Sequence, residues 1–145
     1  MILDTTYLLP LAGVAVDTDL LAAIAREEVD LRFRDIAVSL VSVFELQANA
    51  AKLNVPAEST IKAVQAISAA FRVEPFHKPE IIEASYELRK IIPDHVDCVI
   101  VATAIRLKDD LATEDSLILA SAEAINRKHG IHVLRFRDII KERRK

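Results

Sequence analysis

The sequence is poor in the residues that build turns, with two glycines and five prolines among 145 residues. Because glycine and proline supply most tight turns, long flexible linkers and an all-β fold are disfavoured. Cys98 is the single cysteine, so it cannot form an internal disulfide. No paired Cys or His spacing indicates a zinc site.

A long apolar run is also missing, since none approaches the ~18–20 residues that cross a bilayer. Met1 is followed directly by an apolar segment, which leaves no room for a signal peptide. We therefore expect a cytoplasmic protein that does not associate with a membrane.

The sequence also has no excess of positive charge. Lys and Arg number 19 and Asp and Glu number 22, which gives a formal net charge of -3. A dedicated duplex-DNA binder would be basic, so a nucleic-acid substrate would have to be held by local basic patches or by bound cations. The apolar content of 52% and the charged content of 28% are typical of a soluble globular protein, and the length predicts one domain over residues 1–145.

Short apolar runs alternate with stretches of helical periodicity. The runs predict strands or extended pieces at Ile2–Leu3, 36–40, 73–76, 111–113 and 131–134. Helices are predicted from Asp17 or Thr18 to 28, from Ser42 to 53, from Pro56 onward, before Pro93, over 116–128 with Gly130 after it, and at the basic end of the chain. This alternation predicts an α/β fold with a mainly parallel sheet covered on both faces. The segment 96–107 stays ambiguous, because its β-branched residues favour a strand whereas its length and alanines favour a buried helix.

Four acidic residues stand out by position. Asp4 ends the first predicted strand, Glu45 lies in the first turn of the helix after the second, Asp97 begins the segment after Pro93, and Asp115 follows the strand at 111–113. Ligand sites in open parallel sheets gather outside the carboxyl ends of the strands. The four side chains could therefore converge, although they are far apart in sequence.

Each acid also has a purely structural alternative. Ser42 with Glu45 has the spacing of a capping box, and Asp94 with Asp97 repeats it. Asp4 and Asp115 could be N-caps, because acids near a helix N-terminus are favoured. Spacing alone leaves both interpretations open.

Convergence would have a chemical consequence. Two carboxylates ~5 Å apart repel by roughly 3 kcal/mol at an effective dielectric of 20. Several such pairs would consume much of a stability of about 5–15 kcal/mol unless protons or cations neutralise them. Carboxylate ligands without nearby His or Cys select hard cations, so we expect Mg²⁺ or Mn²⁺ as the cofactor.

The four motifs in order resemble those of the PIN-domain family, and in particular the VapC-like toxin ribonucleases. The opening residues 1–10 resemble the family's first strand, which delivers an Asp followed by Ser or Thr. The segments 42–46, 97–104 and 111–115 are similar to its second, third and fourth acidic motifs. The resemblance spans about residues 1–134.

The resemblance implies a three-layer α/β/α fold with a central parallel sheet of four or five strands, and a helix at 96–107. It implies that Asp4, Glu45, Asp97 and Asp115 are catalytic and bind the metal, for hydrolysis of RNA with water as nucleophile. Thr6 would support Asp4 through a hydroxyl hydrogen bond. The fourth motif departs from the family pattern because Glu114 precedes Asp115, so Glu114 is a possible substitute for it.

Other polar residues carry weaker signals. Arg106 and Lys108 follow the third motif and could contact RNA phosphates, or could form a solvated helix end. His95 is the only histidine near the acids, and a loop histidine beside a cap is the alternative. A basic cluster closes the chain at Arg135, Arg137, Lys141, Arg143, Arg144 and Lys145.

The resemblance also implies partners. An antitoxin protein would cover the acidic groove, RNA would be the substrate, and a homodimer could form through the apolar helices between Pro56 and Ile92. One alternative is a PIN-like RNA-binding or protein-assembly module without turnover, which the acidic pI and the altered fourth motif favour. A nucleotide-binding or phospho-acceptor domain lacks support, because no glycine-rich phosphate loop is present.

Overall fold

A computed structural model describes the chain over residues 1–143. Five parallel strands form one sheet in the order β3-β2-β1-β4-β5. They are β1 (Ile2–Leu3), β2 (Ala37–Ser39), β3 (Arg72–Glu74), β4 (Leu111–Ala112) and β5 (Val133–Leu134). The first strand of the chain is thus the central strand, paired with β2 on one side and β4 on the other.

Over residues 1–143, eight α-helices connect and cover the strands. They are α1 (Leu20–Ala25), α2 (Leu40–Lys52), α3 (Ala57–Ala70), α4 (Pro79–Leu88), α5 (His95–Leu107), α6 (Ser116–Ala120), α7 (Ala122–His129) and α8 (Phe136–Arg143). Two 3-10 helices span Thr5–Ala12 and Phe33–Asp35. Within these described residues, no helix is both long and apolar enough to span a membrane.

The strands alternate their side chains between two hydrophobic clusters. Leu3, Val38 and Ala112 enter one cluster, which the first 3-10 helix, α1, α2, α3 and α8 complete. Ile2 and Leu111 enter the other, with apolar residues of α4, α5, α6 and α7. Because successive strand residues point to opposite faces, this alternation produces three α/β/α layers. The expected fold class and a parallel sheet at the upper expected number of five strands are confirmed.

The ambiguous segment is the helix α5. Its residues Cys98 to Ala104 are all buried, so this part of the helix has no polar face. Without a polar face the sequence shows no helical periodicity of apolar residues, which is why the segment was ambiguous. The turn after α7 is also confirmed, because Gly130 adopts a positive φ of 73°.

Several predicted boundaries were wrong. The helix α1 is capped by Asp19, whose side chain accepts from the Ala22 N–H, and it ends at Ala25. The predicted helix over 116–128 is divided at Ser121 into α6 and α7. Of the basic tail, Arg144 and Lys145 lie outside the described residues.

The start of α2 is the correction that matters most for the site. Ser39, the last residue of β2, is its N-cap and accepts from the Val41 N–H at 3.2 Å. The strand therefore passes into the helix without a loop. Ser42, predicted to open the helix, is buried inside its first turn, and Glu45 lies in the second turn.

Candidate active site

Asp4 follows β1 and is held by hydrogen bonds to both carboxylate oxygens. Its side chain is buried, with the residue 7% exposed. Oδ1 accepts from the Thr5 N–H at 2.8 Å, and Oδ2 accepts from the Thr113 hydroxyl at 2.6 Å. The same hydroxyl accepts from the Asp115 N–H at 3.0 Å. Thr113 thus connects the acids that follow β1 and β4.

Glu45 reaches the same region from α2. Its Oε1 accepts a hydrogen bond of 2.6 Å from the Thr5 hydroxyl, which places Glu45 beside the residue that follows Asp4. The capping box with Ser42 was wrong, because Ser39 caps the helix and the buried Ser42 hydroxyl has no hydrogen-bond partner among the described residues.

Asp97 lies half-buried in the first turn of α5, and Asp94 caps that helix by accepting from the Asp97 N–H at 3.1 Å. Asp115 caps α6 through Oδ1, which accepts from the Leu117 and Ile118 N–H groups at 2.9 and 3.0 Å. The capping alternative is therefore confirmed for Asp115, while its second oxygen stays available for another ligand. It is confirmed for Asp4 too, because Asp4 is the N-cap of the first 3-10 helix through the hydrogen bond from the Thr5 N–H.

The charges of these acids act on one another. Burial raises the pKa of Asp4, hydrogen bonds from Thr113 and Thr5 oppose the rise, and the charge of Asp115 adds to it. Burial also raises the pKa of Glu45, with further contributions from Asp4, Asp94 and Asp115.

Asp97 shows the clearest effect. Burial, followed by the charges of Asp115, Asp94, Asp4 and Glu45, raises its pKa to about 7. Since Coulomb interactions weaken with distance and solvent screening, this mutual influence places the acids of β1, α2, α5 and β4 in one neighbourhood.

Glu74 provides an internal comparison at the end of β3. It is also an acid at the carboxyl end of a strand, and its side chain is 3% exposed. Burial alone would raise its pKa, but Lys78 at 2.7 Å and Arg72 at 3.2 Å outweigh that effect and lower it. The chain thus neutralises a structural buried acid with its own cations. Over the part of the chain described, Asp4, Glu45, Asp97 and Asp115 form no ion pair.

The fit to a metal ion was tested on this donor set. All its side-chain donors are carboxylate oxygens with unneutralised charge, which suits Mg²⁺ or Mn²⁺. Among residues 1–143, no three His, Cys, Asp or Glu side chains are arranged to hold a cation as they stand. The donor chemistry fits a hard divalent ion, although the present arrangement of the side chains does not enclose one.

Two supporting residues are placed differently from the prediction. Thr6 is exposed, and the hydroxyls that hold the acids belong to Thr5 and Thr113. Glu114 Oε1 accepts from the Tyr7 hydroxyl at 3.0 Å and from the Phe136 N–H at 2.9 Å, so it ties α8 to the first 3-10 helix. These contacts argue against Glu114 as a substitute for Asp115.

The predicted RNA contacts Arg106 and Lys108 lie at the end of α5 that is far from Asp97. Arg106 is nine residues beyond Asp97, which is about 14 Å along the helix axis. It approaches Glu80 at 3.9 Å, and Lys108 caps the C-terminus of the same helix. Neither residue is near the acids.

Apart from placing His95 near the acids, the sequence pattern does not predict a surface between α4 and α5. Tyr86, Arg89 and His95 line a cavity of about 390 Å³ there. A larger groove of about 1090 Å³, lined by Met1 and Phe33 among others, lies at the opposite, amino edge of the sheet.

Comparisons with known proteins agree with this architecture. A chain of a toxin–antitoxin complex from Klebsiella pneumoniae is 23% identical, with a TM-score of 0.61, and the match covers 79% of this chain and 86% of that one. A chain from the structure of FitAB bound to an IR36 DNA fragment is 19% identical, with a TM-score of 0.65 and coverage of 93% and 94%. FitAcB from Neisseria gonorrhoeae is 19% identical, with a TM-score of 0.61 and coverage of 92% and 95%. At these identities the likeness shows the fold.

A search of curated proteins gave no match to the chain. The family model described as the PIN domain matches residues 1–123. PIN domains are generally nucleases and typically use divalent metals. Because the match extends over most of its length, the chain belongs to the PIN domain family.

Proposed function

We propose that this chain is a Mg²⁺- or Mn²⁺-dependent endoribonuclease and the toxin of a type II toxin–antitoxin pair. The observation that carries the proposal is the acid cluster of Asp4, Glu45, Asp97 and Asp115. Burial and neighbouring carboxylates raise the pKa of Asp4, Glu45 and Asp97, and none of the four acids is neutralised by the chain's described cations. A bound divalent cation would neutralise the negative charge of these acids, as Lys78 and Arg72 neutralise that of Glu74.

The four carboxylates of the cluster would hold the metal. When bound, Mg²⁺ or Mn²⁺ activates a water and offsets the charge that develops on a phosphoryl group. The hydroxyls of Thr5 and Thr113 fix the orientation of Glu45 and Asp4 without adding charge of their own. Without metal, Asp97 is partly protonated at neutral pH, because burial and the neighbouring acids raise its pKa to about 7.

The proposed partners have weaker support. An antitoxin is proposed because a toxin–antitoxin complex is among the structural neighbours. The exposed side chains of Leu40 and Phe44 beside Glu45 offer it apolar contact. A homodimer remains a proposal, supported by exposed apolar residues such as Ile61 and Phe76.

Thermal unfolding in EDTA, Mg²⁺ and Mn²⁺ tests the cluster directly. Mn²⁺ should raise the midpoint of the parent protein, because a ligand that binds only the folded state stabilises it. The Asp4→Asn, Asp97→Asn variant should be no less stable in EDTA and should lose the metal response. The matched control is Asp30→Asn, Glu58→Gln, which removes two exposed acids elsewhere and should respond like the parent.

RNA cleavage completes the test. The parent should cleave RNA only with metal present, and the Asp4→Asn, Asp97→Asn variant should not. A parent without a metal response, together with a less stable variant in EDTA, would show that these acids serve mainly as helix caps.

A binding or assembly module without turnover is the second candidate. The favouring observation is that no three acids among the described residues enclose a cation as they stand. Such a module would bind RNA or a protein and leave RNA intact. Any cleavage that both Asp4→Asn and Asp97→Asn abolish rules it out.

A further inference from the structure

A second surface lies beside the acid cluster, where α4 turns into α5. Tyr86 is in the last turn of α4, Arg89 is its C-cap, and His95 is the first residue of α5. The three side chains line the cavity of about 390 Å³. The link to the acid cluster is Asp94, the N-cap of α5, whose charge acts on Glu45 and Asp97. Asp94 follows Pro93, whose carbonyl accepts from the Arg89 guanidinium, so the Arg89 side of the cavity adjoins the cluster.

Tyr86 presents its aromatic ring to solvent. The residue is 70% exposed, the highest value among the large apolar side chains of the described residues. Its ring centroid is 5.7 Å from that of His95, and the ring planes are nearly perpendicular at 88°. Edge-to-face contact of this kind orients a ring without covering it completely. The ring is therefore both positioned and accessible.

Arg89 supplies a positive charge at the same place. Its guanidinium donates to the Pro93 carbonyl, which holds it against the turn that leads to Asp94. Within the described chain it pairs with no acidic side chain. Arg89 also lies near enough to α5 to oppose the rise that burial causes in the pKa of Cys98. Lys90, the next residue, is exposed as well.

An accessible aromatic ring beside an unpaired guanidinium matches the chemistry of an unstacked nucleotide. Bases of single strands stack on aromatic side chains with about 1–3 kcal/mol per base, whereas paired bases inside a duplex are not available to do so. Arginine binds phosphate through its fork of N–H donors. This surface suits a protein partner less well, because the cavity is small. A protein interface would also bury the charged Arg89 guanidinium, and removing a charge from water costs free energy.

We infer that Tyr86, Arg89 and His95 form a subsite for single-stranded RNA adjoining the scissile phosphate, in which Tyr86 stacks on a base and Arg89 binds the neighbouring phosphate. The inference rests on the proposed function, because RNA is the substrate proposed there. It replaces the contacts predicted for Arg106 and Lys108, which lie at the far end of α5.

The test measures binding and cleavage separately. Binding of a fluorescein-labelled ten-nucleotide single-stranded RNA is measured by anisotropy in the Asp4→Asn, Asp97→Asn background, and cleavage is measured in the otherwise native chain. Tyr86→Ala should weaken binding about tenfold, and Tyr86→Phe should preserve it. Arg89→Gln should weaken binding too, and a duplex of the same sequence should bind less tightly than the single strand.

Matched controls come from the amino edge of the sheet. Phe33→Ala removes another exposed aromatic ring and Arg26→Gln another exposed guanidinium, and neither should change binding. Sedimentation of each variant checks the oligomeric state. Weaker RNA binding by Tyr86→Ala at an unchanged oligomeric state supports the subsite.

The remaining outcomes overturn one proposal or both. Unchanged RNA binding by Tyr86→Ala in a chain that still cleaves RNA overturns the subsite alone. A dimer that becomes monomeric in Tyr86→Ala overturns it in favour of an interface between copies. RNA binding that depends on Tyr86 without any cleavage by the native chain overturns the nuclease and leaves the subsite standing. A chain that neither binds nor cleaves RNA overturns both.

Discussion

Thr5 and Thr113 show how a cluster of like charges is held in place. Each hydroxyl donates to a carboxylate oxygen at 2.6 Å, one on Glu45 and one on Asp4. A lysine in either position would fix the acid equally well but would also cancel its charge, as Lys78 does for Glu74. A hydroxyl orients the carboxylate and leaves its charge for a ligand.

The raised pKa of Asp97 predicts a stability that depends on pH in metal-free protein. Its pKa is 3.8 in an unfolded chain and about 7 in the folded one, so the folded state binds the proton more tightly. The free energy of unfolding should therefore fall as pH rises from about 4 to about 7. In EDTA at pH 8, Asp97→Asn should be more stable than the parent by about 1–2 kcal/mol, a value reduced for the partial exposure of Asp97.

Urea denaturation at pH 4 and pH 8 measures this effect. The difference between Asp97→Asn and the parent should nearly vanish at pH 4, where both residues are uncharged. Asp30→Asn, on the exposed amino edge, should show no such pH dependence. A loss of stability for Asp97→Asn at pH 8 would mean that its carboxylate mainly stabilises the first turn of α5.

The acids could be predicted because their places follow from topology, whereas their supports could not. Asp4 directly follows β1 and Asp115 lies three residues beyond β4, and the ends of parallel strands share one edge of the sheet. Which of Thr5 and Thr6 turns inward depends on the 3-10 helix that begins at Thr5. The sequence does not show that local geometry, and Thr6 was chosen wrongly.

At the level of elements, the direct passage from β2 into α2 determines where Glu45 stands. Ser39 ends the strand and caps the helix, so no loop separates them. The prediction placed the start at Ser42 because serine there has a Glu three residues later, as a capping box does. Ser39, at the end of the strand, is a second candidate for the N-cap, and the structure shows that Ser39 rather than Ser42 caps the helix.

Glu114 joins two elements, which predicts a graded effect of substitution. Glu114→Ala leaves the Tyr7 hydroxyl and the Phe136 N–H without their acceptor and should cost about 1–3 kcal/mol of unfolding free energy. Glu114→Gln keeps a carbonyl oxygen that accepts both hydrogen bonds and should lose less than half as much. Chemical denaturation gives the free energies, and amide hydrogen exchange at Phe136 shows whether α8 loosens.

Two comparisons are needed to interpret the loss of stability in Glu114→Ala. Glu123→Ala removes an exposed acid of α7 and should have little effect. Equal losses for Glu114→Gln and Glu114→Ala would show that the negative charge itself is needed, which would restore the role of Glu114 as a member of the acid cluster.

Over the whole molecule, the net charge of -3 limits how RNA is bound. Single-stranded binding loses affinity with salt at a slope of about -0.7 in log–log form for each phosphate neutralised. With Arg89 as the proposed phosphate contact and the exposed Lys90 beside it, the slope should lie between about -0.7 and -1.4, and Arg89→Gln should reduce its magnitude by about 0.7. Anisotropy titrations over a series of KCl concentrations measure it.

A steeper salt dependence of RNA binding would indicate that other basic residues contact the RNA. A slope beyond about -4 requires several more cations, and the basic residues Arg135, Arg137 and Lys141 around α8 would then be the surface to examine. Arg26→Gln, which removes a cation at the amino edge, should leave the slope unchanged.

The central position of β1 determines when, during synthesis, the acid cluster can form. Asp4 leaves the ribosome more than a hundred residues before its hydroxyl donor Thr113, and β4, which pairs with β1, is as late. Synthesis proceeds at about 5–20 residues per second, so this interval lasts several seconds or more. During it the nascent chain has neither the completed sheet nor Asp115. The acid cluster can thus assemble only after β4 and Asp115 have been synthesised, and until then the chain carries Asp4 without its hydroxyl donor.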